Sequence, residues 1–77
     1  MNNEFYLVCT KVNHKLLRLL RIKPIFTEGN TYNIVDVDLL LYNNTPLIKA
    51  INDDNKECYI RLKTKYYEFK LEDNYGY

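Results

Sequence analysis

The first segment with a clear pattern covers residues 4–12, EFYLVCTKV, whose alternate positions divide into two faces. The segment is rich in β-branched and aromatic residues, which predicts a strand. Its two faces are Phe5, Leu7 and Cys9 on one side and Tyr6, Val8, Thr10 and Val12 on the other. Both faces are largely apolar, so we expect this strand to lie inside a small barrel.

The next segment, HKLLRLLRIK at residues 14–23, changes to a helical period. One face carries Leu16, Leu17 and Leu20, and the opposite side carries Lys15, Arg18 and Arg21. Asn13 is a suitable N-cap, and Pro24 disfavours helix in the residue before it. We therefore expect a short helical insertion near residues 13–22. Its leucines should close one end of the core, and its basic side chains should point away from that core.

The rest of the chain alternates again between turn signals. Turns are predicted at residues 28–30, 43–46 and 52–55, and strands at residues 31–37, 47–51 and 57–65. Residues 66–72 predict a last strand, or a 3₁₀ turn followed by a strand. In the fourth strand Cys58, Ile60 and Leu62 should face inward, and Arg61, Lys63 and Lys65 outward. The pattern predicts a single domain over residues 1–77. It should be mainly β (or α+β), a small β-barrel or roll of about five short strands with one helical insertion.

The order YLVCTKV, FTEGNTYNIVD and LIKAINDDNKECYIRLKTKYYEF resembles small bacteriophage proteins with an SH3-like β-barrel. The residues at the pattern positions are Phe26, Gly29, Tyr32, Ile34, Ile51, Asp54, Tyr59 and Phe69. One departure is Asn55, which stands where the hairpin usually has glycine, although Asn also tolerates the left-handed conformation. The resemblance implies an SH3-like barrel and a phage origin, and therefore action in the host cytoplasm.

Composition narrows the location and the classes of partner. Seventy-seven residues with a net charge of +1 give no whole-chain attraction to nucleic acid or membrane, so any electrostatic attraction must be local. The start of the chain lacks the basic and apolar regions of a signal peptide. The apolar runs, such as residues 39–42, are too short to cross a bilayer. We expect a cytoplasmic protein without a membrane partner.

The inventory of reactive side chains argues against an enzyme. The chain has no Ser, Gln or Trp, a single His at position 14, and two glycines. It therefore lacks a serine nucleophile, a phosphate-binding glycine loop and the usual spacing of a zinc site. We expect no enzymatic activity, no cofactor and no metal. The sequence leaves open whether Cys9 and Cys58 are free thiols or a disulfide.

Eight tyrosines in 77 residues exceed what a small core needs, and Tyr is enriched at interfaces. We therefore expect a phage protein that binds a host protein and modulates or inhibits it, in host takeover or against an antiviral defence. The predicted partner-binding residues are Lys15, Arg18, Arg21, Tyr59, Arg61, Lys63, Lys65 and Tyr66. The basic side chains would position an acidic surface of the host protein, and Tyr59 and Tyr66 would anchor it. If the partner is basic, Asp53, Asp54 and Glu57 would serve instead.

The basic segments allow two other functional interpretations. Residues 5–27 contain five Lys or Arg and no acid, and Arg61, Lys63 and Lys65 form a second basic face, so a small nucleic-acid-binding β-barrel is the alternative function. A membrane-surface helix is disfavoured because the segment is short and has no aromatic anchor. The oligomeric state stays open, a homodimer through a free sheet edge included.

Overall fold

The computed structural model describes the backbone of residues 5–42 and 45–73 and the side chains of residues 5–37 and 46–72. The elements in chain order are β1 (Phe5–Val12), α1 (His14–Leu19), β2 (Thr31–Tyr42), β3 (Thr45–Ile51), β4 (Glu57–Ile60) and β5 (Tyr67–Asp73). The prediction of a mainly β, barrel-like fold with about five strands and one short helical insertion is confirmed. The turn predicted at residues 43–46 begins outside the described residues.

The strands form one antiparallel sheet in the order β4-β3-β2-β1-β5. The long β2 pairs with β1 through its first residues and with β3 through the remainder, which lets the sheet curl. Beyond β4 the chain turns back on β5: the N–H of Phe69 donates to the carbonyl of Leu62 at 2.7 Å, and that of Thr64 donates to the carbonyl of Tyr67 at 2.9 Å. The two ends of the sheet order therefore meet in this short connection.

The core lies inside the curl and draws on β1, α1, β2, β3, β5 and the segment between α1 and β2. Its buried residues are Leu7, Cys9, Val12, Leu17, Phe26, Tyr32, Ile34, Ile48, Ala50 and Phe69. Cys58, Ile60 and Leu62 are half-buried and pack against this cluster, as their alternation predicted. Phe26 is the largest of the fully buried side chains.

A β-bulge in β1 corrects the predicted faces of that strand. The register with β5 pairs Cys9 with Phe69 and then Lys11 with Glu68, so Thr10 is an extra residue. An extra residue reverses the alternation beyond it. Val12 is therefore buried with Leu7 and Cys9, and its predicted place on the opposite face was wrong.

The turns follow the chemistry of their residues. Gly29 has φ 90°, and Asn55 has φ 61° in the hairpin between β3 and β4. In that hairpin the side-chain oxygen of Asn52 accepts from the N–H of Asp54 at 2.9 Å and of Lys56 at 3.2 Å. The hairpin prediction and the left-handed asparagine are both confirmed.

Helix α1 corrects the expectation that the leucines of the insertion close the core. Leu17 is buried at 2% exposure and Leu16 is half-buried, but Leu20 and Leu19 are exposed. A helix of six residues offers one narrow face to the barrel. Leu17 occupies that face, and the buried Phe26 comes from the segment that follows, so the prediction holds for Leu17 and was wrong for Leu20.

Candidate protein-binding surface

The start of α1 is held against the connection between β4 and β5. The side-chain oxygen of Asn13 accepts from the N–H of Leu16 at 3.1 Å, which is the predicted N-cap. The N–H of Asn13 donates to the carbonyl of Tyr66 at 2.8 Å, and its side-chain amide donates to the carbonyl of Lys65 at 3.2 Å. These bonds bring Lys65 and Tyr66, two predicted partner-binding residues, beside the helix.

The end of α1 is a Schellman motif with an unusual residue in its left-handed position. The N–H of Ile22 donates to the carbonyl of Leu17 at 2.9 Å, and the N–H of Arg21 donates to the carbonyl of Arg18 at 3.1 Å. The left-handed residue of this motif is usually glycine, but here Arg21 occupies it with φ 56°. The motif turns the chain sharply after one short helix, so the residues around it lie on the outside of the barrel.

Three large apolar side chains are exposed around this turn. Leu19 is 77% exposed, Leu20 is 47% exposed and Ile22 is 46% exposed, and Leu19 is the most exposed large apolar side chain that the structure describes. The cations Lys15, Arg18 and Arg21 of the same helix and turn are exposed as well. We call this surface the α1 ridge and define it as Lys15, Arg18, Leu19, Leu20, Arg21 and Ile22. The predicted basic ridge is thus a mixed apolar and basic surface.

A pocket of about 350 Å³ opens beside the ridge and is lined by His14, Leu17, Arg18, Ile22 and Pro24. We call it the α1 pocket. A second concavity of about 270 Å³ lies at the other end of the helix and is lined by Lys11, Asn13, Thr64, Lys65, Tyr66, Tyr67 and Glu68. In that second concavity the Lys65 ammonium sits 5.3 Å from the centre of the Tyr66 ring. The first concavity is thus largely aliphatic, with His14 and Arg18 in its lining, and the second combines two lysines, two tyrosines and one glutamate.

Two carboxylates, those of Glu28 and Asp53, accept hydrogen bonds from other residues of the protein. Glu28 accepts from the N–H of Val12 at 3.3 Å. Asp53 accepts from the hydroxyl of Thr27 and from the hydroxyl of Tyr32, both at 2.8 Å. Asp53, which was an alternative contact for a basic partner, thus has a structural role.

The other predicted residues lie in β4 and directly after it. Tyr59, in β4, is 56% exposed, and the ammonium of Lys49 lies 5.7 Å from its ring centre. Lys49 also pairs with Glu57 at 2.9 Å, and this hydrogen-bonded carboxylate raises the pKa of Lys49. Arg61 is half-buried, and Lys63 forms a β-bridge with Glu68. The contacts therefore divide the predicted set: Lys65 and Tyr66 adjoin α1, whereas Tyr59 adjoins Lys49.

The two cysteines are free thiols, Cys9 buried and Cys58 half-buried. Burial raises the pKa of both thiols, which keeps them protonated and poorly nucleophilic at neutral pH. Within residues 5–42 and 45–73 no group of three or more His, Cys, Asp or Glu side chains is placed to hold a metal. Among the described residues there is also no helix long and apolar enough to span a membrane.

Sequence reasoning identified the cations of the ridge but missed its apolar part. Leu16, Leu17, Leu19 and Leu20 are spread around more of the helix than one narrow stripe can bury, because successive residues are rotated by about 100°. That spread was the available signal. The left-handed Arg21 had no signal, since nothing in its residue type favours that conformation.

Comparison with known proteins found no match to this chain. No protein-family model matches the chain, and neither a curated protein nor a solved structure matches it.

Proposed function

We propose that this chain is a non-enzymatic phage protein that binds a host protein with an acidic surface and modulates or inhibits it, in host takeover or against an antiviral defence. The observation that carries the proposal is the α1 ridge. The sequence resemblance to small phage barrel proteins supports the setting, and the ridge supports the mode of action.

Apolar exposure and charge together support a protein partner. Leu19, Leu20 and Ile22 lie within four residues of one another on an exposed turn. Clustered exposed apolar side chains, rimmed by polar ones, are typical of interaction sites. Arginine is enriched at interfaces, and complementary charge increases the rate and specificity of association. A partner that covers the three apolar side chains and offers carboxylates to Lys15, Arg18 and Arg21 would satisfy both features.

Nucleic-acid binding remains the second candidate, and the concavity at the start of α1 favours it. Lys11 and Lys65 can neutralise phosphates there, and Tyr66 offers a ring for stacking. The argument against it is the composition of the ridge, since Leu19, Leu20 and Ile22 offer nothing to a phosphate backbone.

Capture of partners from a lysate of the bacterial host tests the proposal. The tagged wild-type protein should retain a stoichiometric host protein and change the activity of that protein. The double variant Arg18→Glu with Leu19→Asp should lose both effects. Lys56→Glu reverses one cation, as Arg18→Glu does, and is the charge control for that half of the double variant, because Lys56 is exposed in the β3–β4 hairpin.

Two results would count against the proposal. One is retention of the same host protein by the double variant at the wild-type level. The other is recovery of DNA or RNA with an affinity that falls steeply as salt rises, since phosphate neutralisation releases counterions. The second result would select the nucleic-acid alternative.

A further inference from the structure

We propose that the α1 pocket receives one apolar side chain from an acidic peptide segment of the partner, with Arg18 pairing a carboxylate beside that anchor. The inference rests on the proposed function and goes further, because it names the class of ligand and the place where its anchor sits.

The lining of the pocket has two chemical parts. Leu17, Ile22 and Pro24 supply aliphatic surface, and His14 and Arg18 supply polar groups. Leu17 is buried and belongs to the core, whereas Ile22 and Pro24 are exposed. A concave apolar surface with a few polar groups is the usual form of a site that takes a side chain or small ligand. The polar groups here include a permanent cation, so the favoured ligand carries negative charge next to an apolar group.

The walls of the pocket are held in place before any ligand binds. The N–H of Ile22 donates to the carbonyl of Leu17 at 2.9 Å, which joins one wall to the floor. Directly after Pro24, the N–H of Ile25 donates to the hydroxyl of Tyr67 at 3.0 Å. The ring of Pro24 fixes its own φ. A pocket that needs little ordering on binding loses less conformational entropy, which favours affinity for a short segment.

The charges around the pocket select an acidic ligand. Residues 5–27 contain five Lys or Arg and no acid. The described lining of the pocket includes the cation Arg18 and no carboxylate. The pocket therefore presents positive charge to a ligand.

The same observations disfavour two other occupants. Bases of single-stranded nucleic acid gain affinity by stacking on aromatic rings, whereas Leu17, Ile22 and Pro24 make most of this lining aliphatic. A second copy that docked ridge against ridge would bring like cations together, and these would repel. An acidic peptide with an apolar anchor meets neither difficulty.

Amide NMR titration of the intact protein with short synthetic peptides tests the inference. The test peptide carries Asp and Glu around one central Phe. One control peptide has Ala in place of that Phe, and another has Lys in place of the acids. A single-stranded DNA oligonucleotide serves as the competing class of ligand.

The test peptide should shift the amides of α1 and of the turn after it, and both control peptides should bind at least about tenfold more weakly. Ile22→Ala removes an exposed wall and Arg18→Gln removes the rim charge, and each should weaken the test peptide by about tenfold or less. Ile22→Val is the conservative control and should stay near the wild-type affinity. A wild-type pattern of amide shifts elsewhere shows that each variant is folded.

Equal binding of the Phe and Ala peptides would overturn the inference, and so would shifts centred on Tyr59 and Lys49. Stronger binding of the oligonucleotide would overturn it as well. The capture experiment separates this failure from failure of the proposed function. If Leu19→Asp, a change at a ridge residue outside the pocket lining, abolishes host-protein capture while Ile22→Ala leaves it unchanged, the partner contacts the ridge at Leu19 but does not use the pocket.

Discussion

The segment between β1 and β2 has two halves, and the first exposes more of its large apolar side chains than the second. Helix α1 and the turn after it expose Leu19, Leu20 and Ile22, whereas the following residues bury Phe26 completely. The first half is the more leucine-rich, so hydrophobicity alone does not decide which half enters the core. The difference lies in the tethers that each half makes to the sheet.

The half that contains Phe26 makes several ring contacts and hydrogen bonds with the sheet. The Phe26 ring makes edge-to-face contacts with Tyr32 and Phe69 at 4.9 Å and with Tyr67 at 5.2 Å. The backbone beside it is bound as well: the N–H of Thr27 donates to the Tyr32 hydroxyl at 2.6 Å. Such aromatic pairs add to the free energy gained by burial alone. We infer that this half stabilises the fold and leaves the α1 ridge free for binding.

The largest effect should follow from emptying the Phe26 site. Phe26→Ala removes a fully buried ring and three aromatic contacts, so the free energy of unfolding should fall by about 3–5 kcal/mol. In a domain this small such a loss approaches the whole stability. Urea denaturation monitored by circular dichroism measures it. Phe26→Leu leaves a smaller cavity and should retain a measurable transition at lower urea.

Leu19→Ala is the matched variant in the other half. Leu19 is almost fully exposed, so its truncation should change the free energy of unfolding by no more than about 0.5 kcal/mol. Comparable losses in the free energy of unfolding for Phe26→Ala and Leu19→Ala would show that the two halves contribute equally to stability, which would contradict the distinction between them.

A smaller loss in the free energy of unfolding is expected when the hydrogen bonds of the Tyr32 hydroxyl are removed and its ring is kept. The Tyr32 hydroxyl accepts from the N–H of Thr27 and donates to the carboxylate of Asp53. Tyr32→Phe leaves both partners without this bond, at a cost of about 1–3 kcal/mol. The exposed Tyr59 offers the control, since Tyr59→Phe should leave the urea midpoint unchanged. A neutral Tyr32→Phe would mean that ring packing alone holds this half.

The same hydroxyl gives the stability a defined pH dependence. Burial raises the pKa of Tyr32, and its hydrogen bond to the Asp53 carboxylate raises it further. The folded state then holds the phenol proton more tightly than the unfolded chain does. This contribution is complete below the ordinary value of 10.0 and is lost as pH rises through the higher folded-state pKa. The stability difference between wild type and Tyr32→Phe should therefore shrink above pH 10, and a difference that stays constant would contradict the assignment.

The sequence was informative where the signal is local and silent where it is tertiary. Alternation located the strands, and the residue types of the 52–55 segment predicted its hairpin, with Asn55 in the left-handed conformation. Local patterns could not show that Asp53 of this hairpin reaches Thr27 and Tyr32, because the contact depends on the curl of the sheet. The bulge at Thr10 was hidden for the same reason, since it follows from the register with β5.

The candidate site was predictable to the same extent. The spacing of Lys15, Arg18 and Arg21 indicated an exposed basic side, and all three are exposed. The exposure of Leu19 and Leu20 could not be read from their type, because it depends on where Phe26 lies. The leucines of α1 and the segment that contains Phe26 compete for one small core, and the sequence does not show which of them is buried.

A small effect of opposite sign concerns Arg21. A non-glycine residue in the left-handed conformation costs about 1–2 kcal/mol, and glycine recovers part of that while gaining freedom in the unfolded chain. Arg21→Gly should therefore raise the free energy of unfolding by roughly 0.5–1 kcal/mol. If the ridge binds the partner, the same change should weaken partner affinity, because it removes a cation. Urea denaturation and the capture experiment measure the two quantities on the same variant.

Asn55→Gly separates backbone strain from binding. Asn55 has φ 61°, close to the 56° of Arg21, but it lies in the β3–β4 hairpin rather than in the ridge. Its replacement should give a smaller gain in stability, since Asn tolerates this conformation, and it should leave partner affinity unchanged. Arg21→Lys keeps the charge and the strain, so its stability should match the wild type. If Arg21→Gly gains stability without losing affinity, the strained arginine does not serve the ridge, and binding depends on the apolar side chains instead.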